Sequence, residues 1–450
     1  MSRLTWVQSP DLLAHELVAS VEDGKEVDDV RRRWEAAGGQ CDAPYTGLGQ
    51  EGDAELRVLA GTLLDELERR EPPAALTGLE PDGLADIEAT RAVPPGHTGL
   101  GDDLDDRLLG AWLGRAAGCL LGKPVEKIPR HGIREILTSQ GRWPLTEWFT
   151  AAGLPDDVAV RWPWNRRSAP TSLAENIDGM PEDDDLNFAL MALRVLETHG
   201  RDFTTDDVAA AWLADLPGGR VFTAERVAYR NLLLGDAAPR TAVYRNPYRE
   251  WIGAQIRADV YGWVNPGEPA VAAAYAWRDA RLSHVRNGVY GAMCVAAMCA
   301  QAVVSDDVED VLEAGRSVVP PRSRYAEALR VGIALAGTDL GTEECLDELG
   351  RRYGHLHWVH VLNNAALMAF ALARSGGDFT DAVCLGVTGG WDTDSVGATV
   401  GSVCGGLAGA RRLPGRWTAP LANRLASSLP GCDGVAFDDL AARTARLAIR

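Results

Sequence analysis

Glycine recurs at every fourth residue in two separate stretches of this 450-residue chain. The stretches are DRLLGAWLGRAAGCLLGKPVE, with glycines at 110, 114, 118 and 122, and DTDSVGATVGSVCGGLAGA, with glycines at 397, 401, 405 and 409. A period of four places each set on one face of a helix. Because an interior glycine costs a helix about 1 kcal/mol relative to alanine, four of them need an offset. We expect that offset to be close packing of helix backbones, where a Cβ would clash; a phosphate-binding loop is the alternative.

The rest of the chain also predicts helices. No long alternating stretch indicates a sheet, and aromatic residues make up only 7%, so we expect an all-α bundle over residues 105–450. Residues 1–71 contain two amphipathic stretches, SPDLLAHELVASVEDG and DAELRVLAGTLLDELERRE, and predict a helical N-terminal region. Residues 72–104 are rich in proline and glycine and predict a connector between the two.

Composition restricts the partners. A net charge of −19 disfavours general binding to nucleic acid or anionic membranes, because both require a basic surface. The sequence shows no apolar signal core and no 18-residue apolar run without charges. The eight cysteines include no CxxC pair, as is typical of a reduced, cytoplasmic protein. We therefore predict a cytoplasmic protein with neither nucleic-acid nor membrane partners, and the oligomeric state stays open.

Two acidic motifs stand at the start of predicted helices. In PEDDDLNFAL, four adjacent carboxylates at residues 182–185 precede a helix with leucines at 186, 190, 193 and 196. A carboxylate near a helix N-terminus contributes about 0.3–1 kcal/mol, which explains one or two of them but not four that repel one another. The motif WDTDSVGATVG again places carboxylates and a hydroxyl before a helix. Mg²⁺ takes oxygen ligands in near-octahedral geometry, and two facing motifs would supply enough for two ions.

Three segments together resemble the ADP-ribosylglycohydrolase family, which includes the dinitrogenase reductase-activating glycohydrolase. The first glycine stretch resembles the opening helix of the family, which ends in a functional glutamate, here Glu126. EDDDLNFAL resembles its Thr-Asp-Asp-Thr motif, and DTDS its Asp-Thr-Asp-Thr motif. The resemblance implies an orthogonal all-α bundle with two Mg²⁺ or Mn²⁺ ions. The implied metal ligands are Asp183, Asp184, Asp185, Asp392, Asp394 and Ser395, and the implied catalytic residues are Glu126, Asp184 and Asp392.

The chain departs from the family pattern at four positions. Asp183 stands in place of a threonine ligand, and Leu186 in place of a polar residue. Cys119 stands where the family usually has aspartate, and Trp391 where it usually has glycine. The motifs support the metal centre, but these departures leave the substrate undetermined, and ADP-ribosyl-arginine does not follow from the resemblance.

Further polar residues in apolar helices are predicted to line a substrate pocket. HVRNGVYGAM places two of them at a helix start, where a plain cap is the alternative. In WVHVLNNAALMAF, adjacent asparagines lie within an apolar run, where buried amides need hydrogen-bond partners in a ligand or in a neighbouring loop. The predicted substrate-binding residues are His284, Asn287, His360, Asn363, Asn364 and Trp391.

The predicted function is Mg²⁺-dependent hydrolysis of an N- or O-glycosidic bond in an ADP-ribosyl or related ribosyl substrate, free or linked to protein. In this hypothesis the ions hold the ribose diol and activate water, while Glu126 or an aspartate handles the proton. One alternative is a non-catalytic member of the family that binds metal or nucleotide. A second is an isoprenoid-synthase-like enzyme, which would bind Mg²⁺-diphosphate through aspartate-rich helices.

Overall fold

The computed structural model describes residues 5–42, 54–91 and 101–448. The first five helices are α1 (Ser9–Glu22), α2 (Asp28–Ala36), α3 (Ala54–Glu68), α4 (Ala74–Leu79) and α5 (Leu84–Thr90). They are followed by α6 (Leu104–Gly122), α7 (Arg130–Ser139), α8 (Asp156–Arg161), α9 (Ala169–Ser172), α10 (Asp184–His199), α11 (Thr205–Asp215), α12 (Thr223–Leu233), α13 (Arg240–Val243), α14 (Asp259–Trp263) and α15 (Pro269–Ala280). The last nine are α16 (Arg286–Ala302), α17 (Val308–Ser317), α18 (Arg324–Ala336), α19 (Thr342–Tyr353), α20 (Val361–Ser375), α21 (Phe379–Thr388), α22 (Thr393–Ala408), α23 (Gly415–Thr418) and α24 (Phe437–Ala448).

Short 3₁₀ turns connect several of these helices, at Lys123–Val125, Gly200–Asp202, Gly218–Arg220, Ile252–Arg257, Ala410–Arg412 and Ala419–Leu421. In the described ranges, β-pairing is limited to isolated bridges, such as the one between Trp251 and His360. The all-α prediction is therefore confirmed. No helix in the described ranges is long and apolar enough to cross a membrane.

The two glycine stretches form α6 and α22, and the two helices pack directly against each other. A Cβ at Gly114 would overlap the carbonyl oxygen of Gly401, and one at Gly118 would overlap that of Gly397. Since the overlaps fall on backbone atoms, no side-chain rotation can relieve them. The predicted close packing is thus confirmed, with one adjustment. Gly409 lies just after α22, with a φ of 73°, and ends the helix rather than extending the stripe.

The N-terminal helices are attached to the main bundle through buried ion pairs. We call this set the N-terminal charge network; its members are Glu16, Asp23, Glu80, Glu250, Arg249, Arg286 and Arg324. Arg249 lies 2.8 Å from Glu16 and 2.6 Å from Asp23 of the N-terminal region. Arg324 lies 2.8 Å from Glu80 and 3.0 Å from Glu250. Each carboxylate in the network therefore contacts at least one guanidinium.

Residues 72–104 are more helical than their composition predicts, because α4 and α5 lie within them. Residues 92–100, which carry much of the predicted connector, lie outside the described residues, as do residues 1–4, 43–53 and 449–450. The division at residues 71 and 104 stays a prediction. All eight cysteines are free.

Candidate metal centre

Three chain segments that carry the predicted site residues meet at one end of the α6–α22 pair. They are the end of α6 with the 3₁₀ turn that follows it, the start of α10 and the start of α22. The Thr393 hydroxyl donates a 2.9 Å hydrogen bond to the Gly122 carbonyl and fixes the start of α22 against the end of α6. Because the glycine interface lets the backbones touch, it brings the second acidic motif next to the turn that precedes Glu126.

Asp183 is the N-cap of α10 and is held entirely by donors of the chain. Its Oδ1 accepts a 2.9 Å hydrogen bond from the Asp185 amide, the standard N-cap arrangement. The Cys119 thiol lies 3.4 Å from the same oxygen. The Lys123 ammonium pairs with Oδ2. Both oxygens of the carboxylate that the resemblance assigns as a ligand are therefore already occupied.

Asp185 joins the two acidic motifs. Its Oδ2 accepts a 3.4 Å hydrogen bond from the Ser395 hydroxyl. Arg115, which is fully buried on α6, donates a 2.7 Å bond to the Asp185 carbonyl and lies 3.5 Å from Oδ1. Atoms of Cys119, Asp183 and Asp185 lie within 4.8 Å of one another, so this buried group could hold a metal ion.

The second motif presents its carboxylates to the site instead of using them as caps. Asp392 precedes α22, but its side chain makes no capping hydrogen bond. Its backbone amide donates a 3.1 Å bond to Oδ1 of Asn364. Oδ1 of Asp394 accepts a 3.0 Å bond from the Ser395 amide. The neighbouring carboxyl of Asp394 contributes to raising the pKa of Asp392.

The aspartates of the site differ in the direction in which their pKa values are shifted. Burial by itself would raise the pKa of Asp183, but Lys123 holds that pKa below the usual value. Burial and the neighbouring carboxylates raise the pKa of Asp184 and Asp392 well above the usual value, and that of Asp394 is also raised. Among the described residues, no Lys, Arg or His forms an ion pair with these last three. The chemistry of this donor set fits a hard divalent cation, which would replace repulsion by attraction.

Glu126 follows the turn Lys123–Val125 at the edge of the acidic cluster. Its side chain is 21% exposed, and the side-chain amide of Asn165 donates a hydrogen bond to Oε2. The Lys127 ammonium lies 3.4 Å from Oε1. Burial, followed by the charge of Asp394, raises the pKa of Glu126 to about 7. Near neutral pH both of its protonation states are populated, as acid–base catalysis requires.

A cleft of about 420 Å³ borders the centre. Trp391 and Trp358 contribute to its wall, together with Lys127. Because Trp391 directly precedes Asp392 and Lys127 directly follows Glu126, the cleft opens next to the second acidic motif and Glu126. Two indole rings in one wall suit a planar ring or the apolar face of a sugar.

His360, Asn363 and Asn364 lie at the start of α20, and the described hydrogen bonds of the two asparagines are to the protein itself. Asn364 donates 2.9 Å and 2.8 Å bonds to the carbonyls of Trp358 and His360, and Asn363 donates a 3.0 Å bond to the His357 carbonyl. The His360 ring caps α20. Through its bond to the Asp392 amide, Asn364 positions the second motif. Direct substrate binding by these three residues stays a prediction.

The structure does not bring His284 and Asn287 to the acidic cluster. Nδ1 of His284 lies 2.8 Å from the Ser283 hydroxyl, and burial lowers the pKa of the ring well below its usual value. Asn287 donates a 2.8 Å bond to Glu80 of the N-terminal charge network and accepts a 3.0 Å bond from the Tyr325 amide. These contacts give both side chains structural roles, and their assignment to the substrate pocket stays a prediction.

Sequence reasoning missed three residues that contact the site: Arg115, Lys123 and Asn165. Arg115, Cys119 and Lys123 are spaced four residues apart and so share one helix face. This face, next to the glycine face of α6, contacts the start of α10. The spacing was visible in the sequence, whereas nothing local in the sequence links Asn165 to Glu126.

Most of the chain is similar in sequence to known proteins. The sequence model of the ADP-ribosylglycohydrolase family matches residues 100–448. An uncharacterized protein from Archaeoglobus fulgidus is 25% identical over 334 residues, covering 71% of this chain and 93% of that protein. A solved structure described as an ADP-ribosylglycohydrolase-related protein complex is 22% identical, with a TM-score of 0.45, and the match covers 77% of this chain and 100% of that one.

Proposed function

Because the chain belongs to the ADP-ribosylglycohydrolase family, we propose that it is a Mg²⁺-dependent glycohydrolase. Family membership supports a glycohydrolase-type activity. The finer proposal is hydrolysis of an N- or O-glycosidic bond in an ADP-ribosyl or related ribosyl substrate, with Mn²⁺ as an alternative ion. Membership also removes the support for an isoprenoid-synthase-like enzyme.

The observation that carries the proposal is a set of three carboxylates near Glu126 that form no ion pair within the described residues; Asp392 and Asp394 are buried and Asp184 is half-buried. The pKa values of Asp184, Asp392 and Asp394 are raised by burial and by neighbouring carboxylates, and a folded protein keeps such a cluster at a cost in stability. In the N-terminal charge network, by contrast, each carboxylate pairs with a guanidinium. A cluster left uncompensated at the edge of a cleft is typical of a site that binds a cation during function.

The residues suggest a division of labour. Asp184, Asp392 and Asp394 would hold Mg²⁺, which when bound supplies Lewis acidity for the substrate and lowers the pKa of water. Glu126 takes a proton at its carboxylate from the attacking water, or returns one to the leaving group, and its pKa of about 7 permits both. Asn165 orients Oε2 of Glu126. Trp391 and Trp358 exclude water from one side of the cleft.

The test is a panel of ADP-ribosylated and simpler ribosyl compounds, assayed with Mg²⁺, with Mn²⁺ and with EDTA. We expect turnover of at least one compound that EDTA abolishes and added metal restores. Asp184→Asn and Asp392→Asn should each abolish it without loss of helix content. The matched control is Asp378→Asn, because Asp378 caps α21 with its side chain and asparagine caps equally well. Full activity in both site variants would disprove the metal mechanism, and metal binding without any turnover would favour the non-catalytic alternative.

A further inference from the structure

We propose that the ammonium group of Lys123 replaces one of the two cations implied by the family resemblance, so that the centre binds a single divalent ion per chain. This inference rests on the proposed metal-dependent function and concerns the composition of the same site.

Lys123 is a buried cation inside the acidic cluster. Its side chain is 8% exposed, and its Nζ pairs with Oδ2 of Asp183 and lies 3.4 Å from the Glu182 carbonyl. The chain has only three lysines, at 25, 123 and 127, among 45 basic residues. An ammonium group offers three donors and no lone pair, so it cannot serve as a ligand. It also repels any second cation placed next to it.

Both oxygens of Asp183 already accept from donors of the chain. Oδ2 holds Lys123, while Oδ1 receives the Asp185 amide at 2.9 Å and the Cys119 thiol at 3.4 Å. Coordination by Asp183 would place a divalent cation next to the Lys123 ammonium or in competition with the N-cap of α10. Either change opposes metal binding at this position.

Arg115 is a second buried cation at the site. It lies on α6 one helical turn before Cys119 and two turns before Lys123. Arg115 is fully buried, lies 3.5 Å from Oδ1 of Asp185 and pairs at 2.8 Å with Asp259. Arg115 and Lys123 thus direct two built-in positive charges from one face of α6 to the start of α10. Within the part of the chain that the structure describes, the carboxylates of the site that form no ion pair are Asp184, Asp392 and Asp394. Three carboxylates completed by water are a suitable ligand set for one Mg²⁺ ion.

The experiment counts ions bound to the full-length, metal-free protein. Isothermal titration with MgCl₂ and equilibrium dialysis with MnCl₂ should both give one ion per chain for the unmodified protein. Lys123→Met should raise the number from one to two, because Asp183 then regains a free oxygen and loses its neutralising charge. Lys123→Arg should keep one ion. Lys25→Met is the matched control, since Lys25 contacts the remote Leu67 carbonyl, and it should also keep one.

Asp183→Asn provides an independent test if Lys123→Met does not fold, as judged by circular dichroism and thermal unfolding. Asparagine preserves the cap, so this variant should still bind one ion; loss of that ion would overturn the inference. Two ions on the unmodified protein, or one on folded Lys123→Met, would also overturn it. Hydrolysis measured on the same samples separates the two proposals. Two ions with turnover contradict only the inference, one ion without turnover contradicts only the proposed activity, and no bound ion contradicts both.

Discussion

The chain contains two buried clusters of charge that are built in opposite ways. In the N-terminal charge network, four carboxylates are matched by three guanidinium groups. In the metal centre, the five aspartates of the two acidic motifs have only Lys123 and Arg115 as ion-pair partners within the described residues. Burial by itself would raise the pKa of Glu250, but Arg286 and Arg324 hold it down at about 2. The pKa of Asp392, in contrast, is raised by burial and raised further by the neighbouring carboxylate of Asp394.

The difference indicates what each cluster is for. The N-terminal network satisfies its charges internally and fastens α1 and the segment around Glu80 to the main bundle. The metal centre has an excess of negative charge, which a bound cation would neutralise. A substitution that removes a charge should therefore have opposite effects on stability in the two clusters, and the following predictions test that contrast.

The largest expected effect is on activity, from Asp392→Asn. Loss of this ligand should reduce the rate of hydrolysis by more than about 10³-fold. A bound metal lowers the activation free energy by several kcal/mol, and about 1.4 kcal/mol corresponds to a tenfold change in rate. In EDTA, the same variant should be at least as stable to urea as the unmodified protein, because the substitution removes like-charge repulsion. A marked loss of stability in EDTA would show that Asp392 is a structural residue.

The opposite result is expected in the N-terminal network. Arg249→Met leaves Glu16 without its guanidinium, and breaking a buried ion pair typically costs about 3–5 kcal/mol. Urea unfolding followed by circular dichroism measures this loss. Arg351→Met is the control, because Arg351 is 69% exposed in its pair with Glu348, where the expected change is below about 1 kcal/mol. Equal effects of the two substitutions would contradict the assignment of the network as a structural fastening.

Added metal should stabilise the protein through the metal centre alone. At a Mg²⁺ concentration about 100 times the dissociation constant, linkage predicts a gain of about 2.7 kcal/mol. The gain should disappear in Asp392→Asn and persist in Arg249→Met, measured from the unfolding midpoint with and without EDTA. A gain that survives in Asp392→Asn would place the ion elsewhere.

Much of this arrangement could be predicted from the sequence where the signal is local. The glycine period specifies a helix face without side chains, so the contact between α6 and α22 follows directly from it. The two acidic motifs each open a helix, and their helices are the ones that this contact brings together. Lys123 could have been found in the same way, since it lies four residues after Cys119 and eight after Arg115.

The remaining features depend on partners distant in sequence. Asn287 resembles a pocket residue at a helix start, but its partner Glu80 lies 207 positions away. Asn364 contacts the second motif through the backbone of Asp392, which no side-chain pattern reveals. The structure also connects two departures from the family pattern. Sγ of Cys119 lies 3.4 Å from Oδ1 of Asp183. Where the family usually has a carboxylate on α6, this chain has a thiol, and the carboxylate beside it belongs to the start of α10.

The smallest predicted effect is the pH dependence of stability, where the two clusters should act in opposite directions. Burial raises the pKa of Glu126 to about 7 in the folded protein, compared with about 4.3 in an unfolded chain. A carboxyl with a raised pKa destabilises the fold above the unfolded value, and this cost disappears as pH falls. In EDTA, stability should therefore rise by about 1–2 kcal/mol from pH 8 to pH 5, allowing for the partial exposure of Glu126.

Glu250, with its pKa of about 2, contributes stability that is lost only as pH falls from about 4.3 through about 2. Urea titrations at pH 8, 5 and 3 measure both changes. Glu126→Gln should reduce the rise between pH 8 and pH 5 and leave the loss at lower pH unchanged. Because Mg²⁺ keeps the site carboxylates ionised, saturating metal should also remove the rise between pH 8 and pH 5. A rise that metal leaves unchanged would mean that the acidic cluster does not bind the ion.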